Sequence, residues 1–241
     1  MRPLALAGTL GRVTPEAGER PLTFLDALGE DDRRDLRARG TVRQFARGTA
    51  LAHAGQLSDR VLVLLSGHVK LTRVTDDGRE VLLAIRGGGD LVGEQSAIDG
   101  EPRSASIVAL DKVEALALPP DDFLAFVTRT PEASMYVMRL LAERLRDADG
   151  KRVEYAAQDV VGRLAARLCE LSERFGEVEA GGDETRIDLA LTQEDLASWT
   201  GASREAVSRA LQQMRSLGWV TTERRAITVH DRDALRRRAQ A

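Results

Sequence analysis

The stretch Thr192-Gln193-Glu194-Asp195-Leu196-Ala197-Ser198-Trp199-Thr200-Gly201-Ala202-Ser203-Arg204-Glu205-Ala206-Val207-Ser208-Arg209 decides the architecture. Thr192 with Asp195 three residues on reads as a capping box that opens a helix. That helix runs through Leu196 and Trp199, and Thr200-Gly201-Ala202 turns the chain. Ser203 then caps a second helix, on which Val207, Leu211 and Met214 share one face at spacings of 4 and 3. Glu205, Arg209 and Gln212 fall on the opposite face, with Arg204 beside them in the first turn. Two short helices joined by a tight glycine turn make a helix-turn-helix. Its polar face carries base-edge chemistry: an arginine forks onto guanine O6/N7, and a carboxylate accepts from cytosine N4.

The surroundings of this stretch are basic. From Ser203 to Arg238 nine arginines face only four carboxylates, whereas the full 241 residues carry a net charge of −3. A basic end on an acidic body directs attention to nucleic acid, although a solvated charged face reads the same way. Beyond the second helix, Trp219–Val229 reads as a hairpin.

Upstream, the pattern is of short apolar or alternating runs: Thr49–His53, Val61–Leu65, Val69–Val74, Val81–Ile85, Ser106–Leu110 and Val113–Leu118. Glycine- and aspartate-rich breaks separate them, as in a β-sandwich or jelly roll. Asp77-Gly78 predicts a type I′ hairpin turn. A helical pattern covers Phe24–Arg39, another Asp121–Arg129, and residues 1–20 read as a loose leader. Thr130-Pro131 opens a long helix to about Ala157, with proline at the first position, where its missing N–H costs nothing. Along it Met138, Leu141, Leu145, Ala148, Arg152 and Tyr155 recur at 3,4,3,4,3 spacing, the seam of a two-stranded coiled coil. A helix of that length spans roughly 40 Å, more than a small β domain covers, so pairing with a second copy is expected over packing on its own domain. Gln158-Asp159 marks a hinge, Val160–Phe175 an amphipathic helix, and Gly176–Asp183 a loop.

Between the β runs lies Gly93-Glu94-Gln95-Ser96-Ala97-Ile98-Asp99-Gly100-Glu101-Pro102-Arg103-Ser104-Ala105. A short helix starting near Glu94 aims free N–H groups at an anion, and Arg103 adds a bidentate cation. Ser104 contributes a hydroxyl, and Glu94 can accept from a ribose hydroxyl. The bland alternative is an Arg103–Glu94 salt bridge that merely ties a loop.

Taken together, the two motifs resemble those of the Crp–Fnr regulators over about Phe24 to Val229. The resemblance implies an α+β chain: an N-terminal β-roll (jelly-roll, cyclic-nucleotide-binding-like) domain at 21–129, a dimerisation helix and hinge at 130–158, and a winged helix-turn-helix at 159–241. By it, Arg204, Glu205 and Arg209 read a TGTGA-like half-site. Gln193 holds a phosphate, Ser203 stands at the DNA-facing helix start, and wing residues Arg224 and Arg225 touch backbone. The wing, Thr222–Ala226, lacks the glycine common at its tip. The string from Gly93 to Ser104, with Gln95 and Ser96 inside it, becomes a phosphate-binding cassette, and Arg144 bonds its glutamate. Gln95 replaces an aliphatic residue. Ala148 and Asp149 replace the Thr-Ser pair that bonds adenine in the cyclic-AMP receptors. Alanine makes no such bond, and a carboxylate suits the guanine donors N1–H and N2–H2, so cGMP is expected to be at least as acceptable as cAMP. No obligatory cofactor is implied. The implied partners are double-stranded DNA with a palindromic site, a second copy of the chain and RNA polymerase, with no membrane. An effector-independent regulator and a nucleotide-responsive protein-interaction module are the alternatives.

Catalysis finds no support. His53, His68 and His230 are scattered, with no nucleophile or metal-ligand spacing around them. The single cysteine, Cys169, excludes an intramolecular disulfide and the cysteine-held cluster of the family's oxygen sensors. It reads as a small buried thiol in the Leu164–Leu171 run rather than a redox switch, and His68 alone is weak ground for haem. Met1–Pro21 lacks an apolar signal core, so the expected address is the cytoplasm.

Overall fold

A computed structural model of the chain describes residues 21–178 and 184–241. The expected leader and the end of the 176–183 loop lie outside those residues. The elements in chain order are α1 (Glu30–Arg39), β1 (Thr41–Phe45), β2 (Ala50–Ala52), β3 (Val61–Ser66), β4 (Val69–Val74), β5 (Glu80–Arg86), β6 (Leu91–Val92), α2 (Glu94–Asp99), β7 (Ser106–Ala109), β8 (Val113–Leu118), α3 (Pro120–Arg129), α4 (Pro131–Ala157), α5 (Val160–Phe175), β9 (Gly176–Val178), β10 (Thr185–Ile187), α6 (Gln193–Thr200), α7 (Arg204–Ser216), β11 (Val220–Glu223), β12 (Ala226–Val229) and α8 (Arg232–Gln240).

Two antiparallel sheets, β1-β8-β3-β6 and β2-β7-β4-β5, face each other as the expected roll. Alternation decides what each strand buries. From the first sheet Leu62, Leu64, Val92 and Ala115 point into the roll, where Leu51, Val69 and Ile107 of the second meet them. The outer face of the first sheet (Val61, Val63, Leu116, Leu118) buries Phe24, Phe123, Phe126 and Val137 from the flanking helical segments. The outer face of the second gives Leu82 and Ile85 to the C-terminal core of Leu164, Leu168, Trp199 and Leu211. Three apolar layers therefore run through the molecule, and each fully buried large side chain contributes roughly 1.5–3 kcal/mol.

Several local expectations are corrected. Residues 24–28 form turns rather than helix, and α1 starts only at Glu30, because Thr23 and Asp26 bond each other's backbone N–H and close a turn first. The 75–79 loop is not type I′. Gly78 donates to the Thr75 carbonyl at 2.9 Å, and Gly78 alone has a positive φ (81°) there. That is a turn of the ordinary hand followed by a left-handed glycine, the form that longer hairpin loops prefer. Gly176–Val178, expected as loop, is strand β9, paired with β10.

Candidate ligand pocket and nucleic-acid interface

The cassette folds as its residue types require. Gly93 caps α2 with φ 81°, a conformation glycine tolerates, and a Cβ there would lie 2.4 Å from Arg103 Nη1. The missing side chain is what lets the Arg103 guanidinium close over the start of α2. Glu94 is fully buried, and its Oε1 accepts from Arg144 Nη1, while Arg144 Nη2 donates to the Leu91 carbonyl at 3.0 Å. Arg103 donates through Nη2 to the Arg60 carbonyl at 2.6 Å and to Asp59 at 3.3 Å. The looser reading, an Arg103–Glu94 bridge, is thus not what forms: the glutamate pairs with the long helix and the arginine with the 59–60 loop. Ser96 is buried, whereas Gln95 and Ser104 are exposed and their side chains meet at 3.3 Å.

Three buried polar atoms at this place lack a partner among the described residues: Glu94 Oε2, Arg103 Nη1 and Arg144 Nε. Buried polar groups are otherwise almost always bonded, and leaving one unpaired is costly. A carboxylate oxygen waiting for a donor beside guanidinium nitrogens waiting for acceptors fits a sugar hydroxyl next to a phosphate. Arg86 Nε is likewise buried without a partner among the described residues, its side chain lies close enough to Arg144 to feel that charge, and it was not singled out from the sequence.

Ala148 and Asp149 lie on the exposed side of α4, and Asp149 makes only a 3.6 Å ion pair with Arg152. The exposed apolar stripe of α4 is Met135, Met138 (56% exposed), Leu145 (65%) and Val153. It shares Met138 and Leu145 with the expected seam. Leu141 leans half-buried onto the inner helices, and Tyr155 stays 46% exposed while its hydroxyl donates to the Trp199 carbonyl at 2.9 Å.

At the other end both capping bonds are made: Thr192 Oγ1 accepts from Asp195 N at 3.0 Å, and Asp195 Oδ2 from Thr192 N at 2.9 Å. Gly201 takes φ 60°, and a Cβ there would strike the Tyr155 ring at 2.7 Å. The Ser203 side chain accepts from Ala206 N and starts α7, which buries Val207, Ala210, Leu211 and Met214. Arg204, Glu205, Arg209 and Gln212 are all exposed. The Glu205 carboxyl is held below its usual range by its own backbone N–H and by Ser203, helped by Arg204 and Arg209. Gln193 is exposed at the mouth of a cleft of about 130 Å³ between α6 and the wing. Arg224 and Arg225 form the two-residue wing turn, and Arg225 is left-handed at φ 75°, the one positive-φ non-glycine among the described residues. Part of the basic end is spoken for within the chain: Arg236 pairs with Glu173 and Arg238 with Asp159.

The other candidates are occupied or inert. His68 bonds Asp111 at 2.7 Å and packs edge-on against Phe175. Burial, with help from Glu173, pushes the Cys169 thiol up to about 11. Among the described residues no His, Cys, Asp and Glu group is placed to hold a metal, and no helix is long and apolar enough to cross a membrane.

Comparison with known proteins agrees with this geometry. Residues 42–130 match the family described as cyclic nucleotide-binding domain, and residues 162–238 match the Crp-like helix-turn-helix domain. The chain is 37% identical over 196 residues to a CRP-like cAMP-activated global transcriptional regulator of Mycobacterium tuberculosis, covering 81% of this chain and 87% of that one. To the cyclic AMP receptor protein of Thermus thermophilus it is 34% identical, covering 74% and 78%. Among solved structures, the catabolite activator protein of Thermus thermophilus aligns with TM-score 0.51 at 29% identity, over 90% of this chain and 98% of that one. FixK2 of Bradyrhizobium japonicum aligns at TM-score 0.73 and 20% identity, over 84% and 98%, a likeness of fold alone. The chain belongs to the Crp–Fnr family of transcription regulators, which are DNA-binding proteins and not enzymes.

Proposed function

We propose that the protein is a homodimer whose paired α7 helices read a TGTGA-like palindrome, with a cyclic nucleotide in the roll adjusting the spacing of those helices. In this reading residues 21–129 sense the ligand, 130–158 pair with a second copy, and 159–241 bind DNA. Arg204, Glu205 and Arg209 take base edges, while Gln193, Ser203, Arg224 and Arg225 take phosphates and fix the register. RNA polymerase is the further partner such a regulator serves.

The observation that carries the reading is the face of α7: two arginines and a glutamate, all exposed, on a helix whose other face is packed. On the sensor side, the unpartnered atoms of Glu94 and Arg103 favour a ribose phosphate. A ligand shifts such an equilibrium only by binding the two packings of the α4 stripe unequally. Ala148, which can make no side-chain hydrogen bond, favours the second reading, a regulator that needs no effector.

Fluorescence anisotropy on a TGTGA-N6-TCACA duplex and a scrambled duplex, at two salt concentrations, tests the proposal. The palindrome should bind at least about a thousandfold more tightly, and both affinities should fall steeply with salt. Equal affinity for the two duplexes would contradict it. Adding cAMP or cGMP separates the two readings: an unmoved curve is the effector-independent outcome.

A further inference from the structure

The phosphate cradle accounts for Arg103 and the Glu94 pair for Arg144, but a third buried guanidinium, Arg86, within reach of the Arg144 charge, has no such account. Arg86 ends β5, and its Cα is registered against Val69 of β4. Residues registered across an antiparallel pair share a sheet face, and Val69 packs in the roll interior with Leu62, Leu64 and Val92. Ile85, one residue earlier, points the other way into the C-terminal core. Arg86 therefore aims into the roll, and it is only 7% exposed.

Its hydrogen bonding is nearly empty. Nη1 donates to the Ile85 carbonyl at 2.8 Å, and Nε is buried with no partner among the described residues. Burial, reinforced by Arg174 and Arg144, pulls its pKa down to about 10, against weaker opposition from Asp90 and Glu170. Those carboxylates are already bonded elsewhere: Asp90 to Arg174 at 2.9 Å and Glu170 to Arg167 at 2.9 Å. A buried cation without its own anion is an expensive arrangement unless something arrives to meet it.

We propose that Arg86 is a ligand-binding residue of the cassette pocket and takes the O6/N7 edge of a guanine carried by a cyclic phosphodiester. The proposal rests on the cyclic-nucleotide reading above. With phosphate at Arg103 and ribose at Glu94, the base extends toward Arg144 and the long helix. Of the two charges that act most strongly on Arg86, Arg144 is on the long helix and Arg174 on α5, so Arg86 lies where those two helices meet the roll. An arginine fork is donor-only. Guanine offers it two adjacent acceptors, whereas adenine sets an amino donor beside N7 and opposes one of its N–H groups. A mononucleotide and a cyclic dinucleotide present the same edge.

Calorimetry on the full chain with cAMP, cGMP and cyclic di-GMP, repeated on Arg86→Gln and Arg86→Met, tests this. The wild-type chain should bind a guanine ligand at least about tenfold more tightly than cAMP, the tighter of the two guanine ligands naming the source. Arg86→Gln should invert the preference, because a glutamine amide matches the N6/N7 edge of adenine. Arg86→Met should abolish the preference while its unliganded melting temperature stays level or rises, since an uncompensated buried cation has gone. Preference for cAMP in the wild type, or an equal loss of all ligands in both variants, would overturn the role of Arg86 alone. A sharp fall in the melting temperature of unliganded Arg86→Met would mark a structural arginine and overturn it too. Binding of none of the three ligands by the wild type would overturn it together with the nucleotide reading.

Discussion

At the scale of single residues, function divides by what each side chain is free to touch. Arg204 and Arg209 are exposed on a helix whose inner face is packed, so truncating either leaves the fold intact. Arg204→Ala and Arg209→Ala should each cost about 1–3 kcal/mol at one base position and relax preference there, as a binding series over single-base variants of the palindrome would register. Arg225 is different in kind. Its φ of 75° is held where glycine is at ease, and for an L residue that costs about 1–2 kcal/mol. Arg225→Gly should raise the melting temperature while weakening DNA binding uniformly across sequences, with the salt slope reduced by about one. Cys169, raised to about 11 by burial first, should be about a thousandth thiolate at pH 8. Its modification by a thiol reagent should accordingly be slow until the chain is unfolded.

At the scale of elements, the long helix carries the proposal of pairing. Met135, Met138, Leu145 and Val153 form an apolar row on the outside of α4, and a charge in that row is unfavourable in a seam but harmless in solvent. Leu145→Glu should give a monomer in the ultracentrifuge, with palindrome affinity down about a hundredfold as the two half-sites lose their linkage. What was legible in the sequence follows from element length and patterning. The roll strands β3, β4, β5, β7 and β8, and the helices α3, α4, α5, α6 and α7, were readable because each has a full period of apolar residues. Strand β1 was not, since it is an edge strand with Val42 facing solvent and only Phe45 half-buried. Strands β6, β9 and β10 hold too few residues for any period, whereas the equally short β2 was caught within the run Thr49–His53. Helix α8 was hidden by its arginines, although Asp231 caps it and Leu235 is fully buried against the C-terminal core.

At the scale of the molecule, the C-terminal domain is docked on the roll. Lys70 of β4 bonds Asp195 of the capping box at 2.8 Å and Glu80 at 2.7 Å, while the Leu82 N–H donates to Ser198 Oγ at 3.1 Å. Tyr155 and Arg174 add further ties, to Trp199 and Asp90. Burial pushes the Asp195 carboxyl up, but hydrogen bonds from Lys70 and Thr192 outweigh it and leave it below its ordinary value. Its contribution is therefore complete above about pH 4 and fades as pH falls through the lowered value. Burial pulls Lys70 down, yet its two carboxylate partners hold it above its ordinary value, so its contribution is complete below about pH 10 and fades above that. The protection factors of the Leu82 amide and of α6, taken against the base-catalysed intrinsic rate, should accordingly stay level between about pH 5 and 9, and Lys70→Met should lower them throughout that window. None of this contact was visible in the sequence, because Lys70 and Asp195 lie on separate domains and only tertiary packing joins them. The same holds for Arg86: composition recorded an arginine, and only the strand register set it inside the roll.

The central claim is that two recognition helices are held one groove repeat apart. It is tested most directly by varying the spacer between TGTGA and TCACA and measuring affinity at fixed salt. The account predicts tightest binding near one helical turn, roughly 34 Å between half-site centres, with a five-base-pair insertion that rotates one half-site to the far side costing most of the specific affinity. Affinity that ignores the spacer would contradict it.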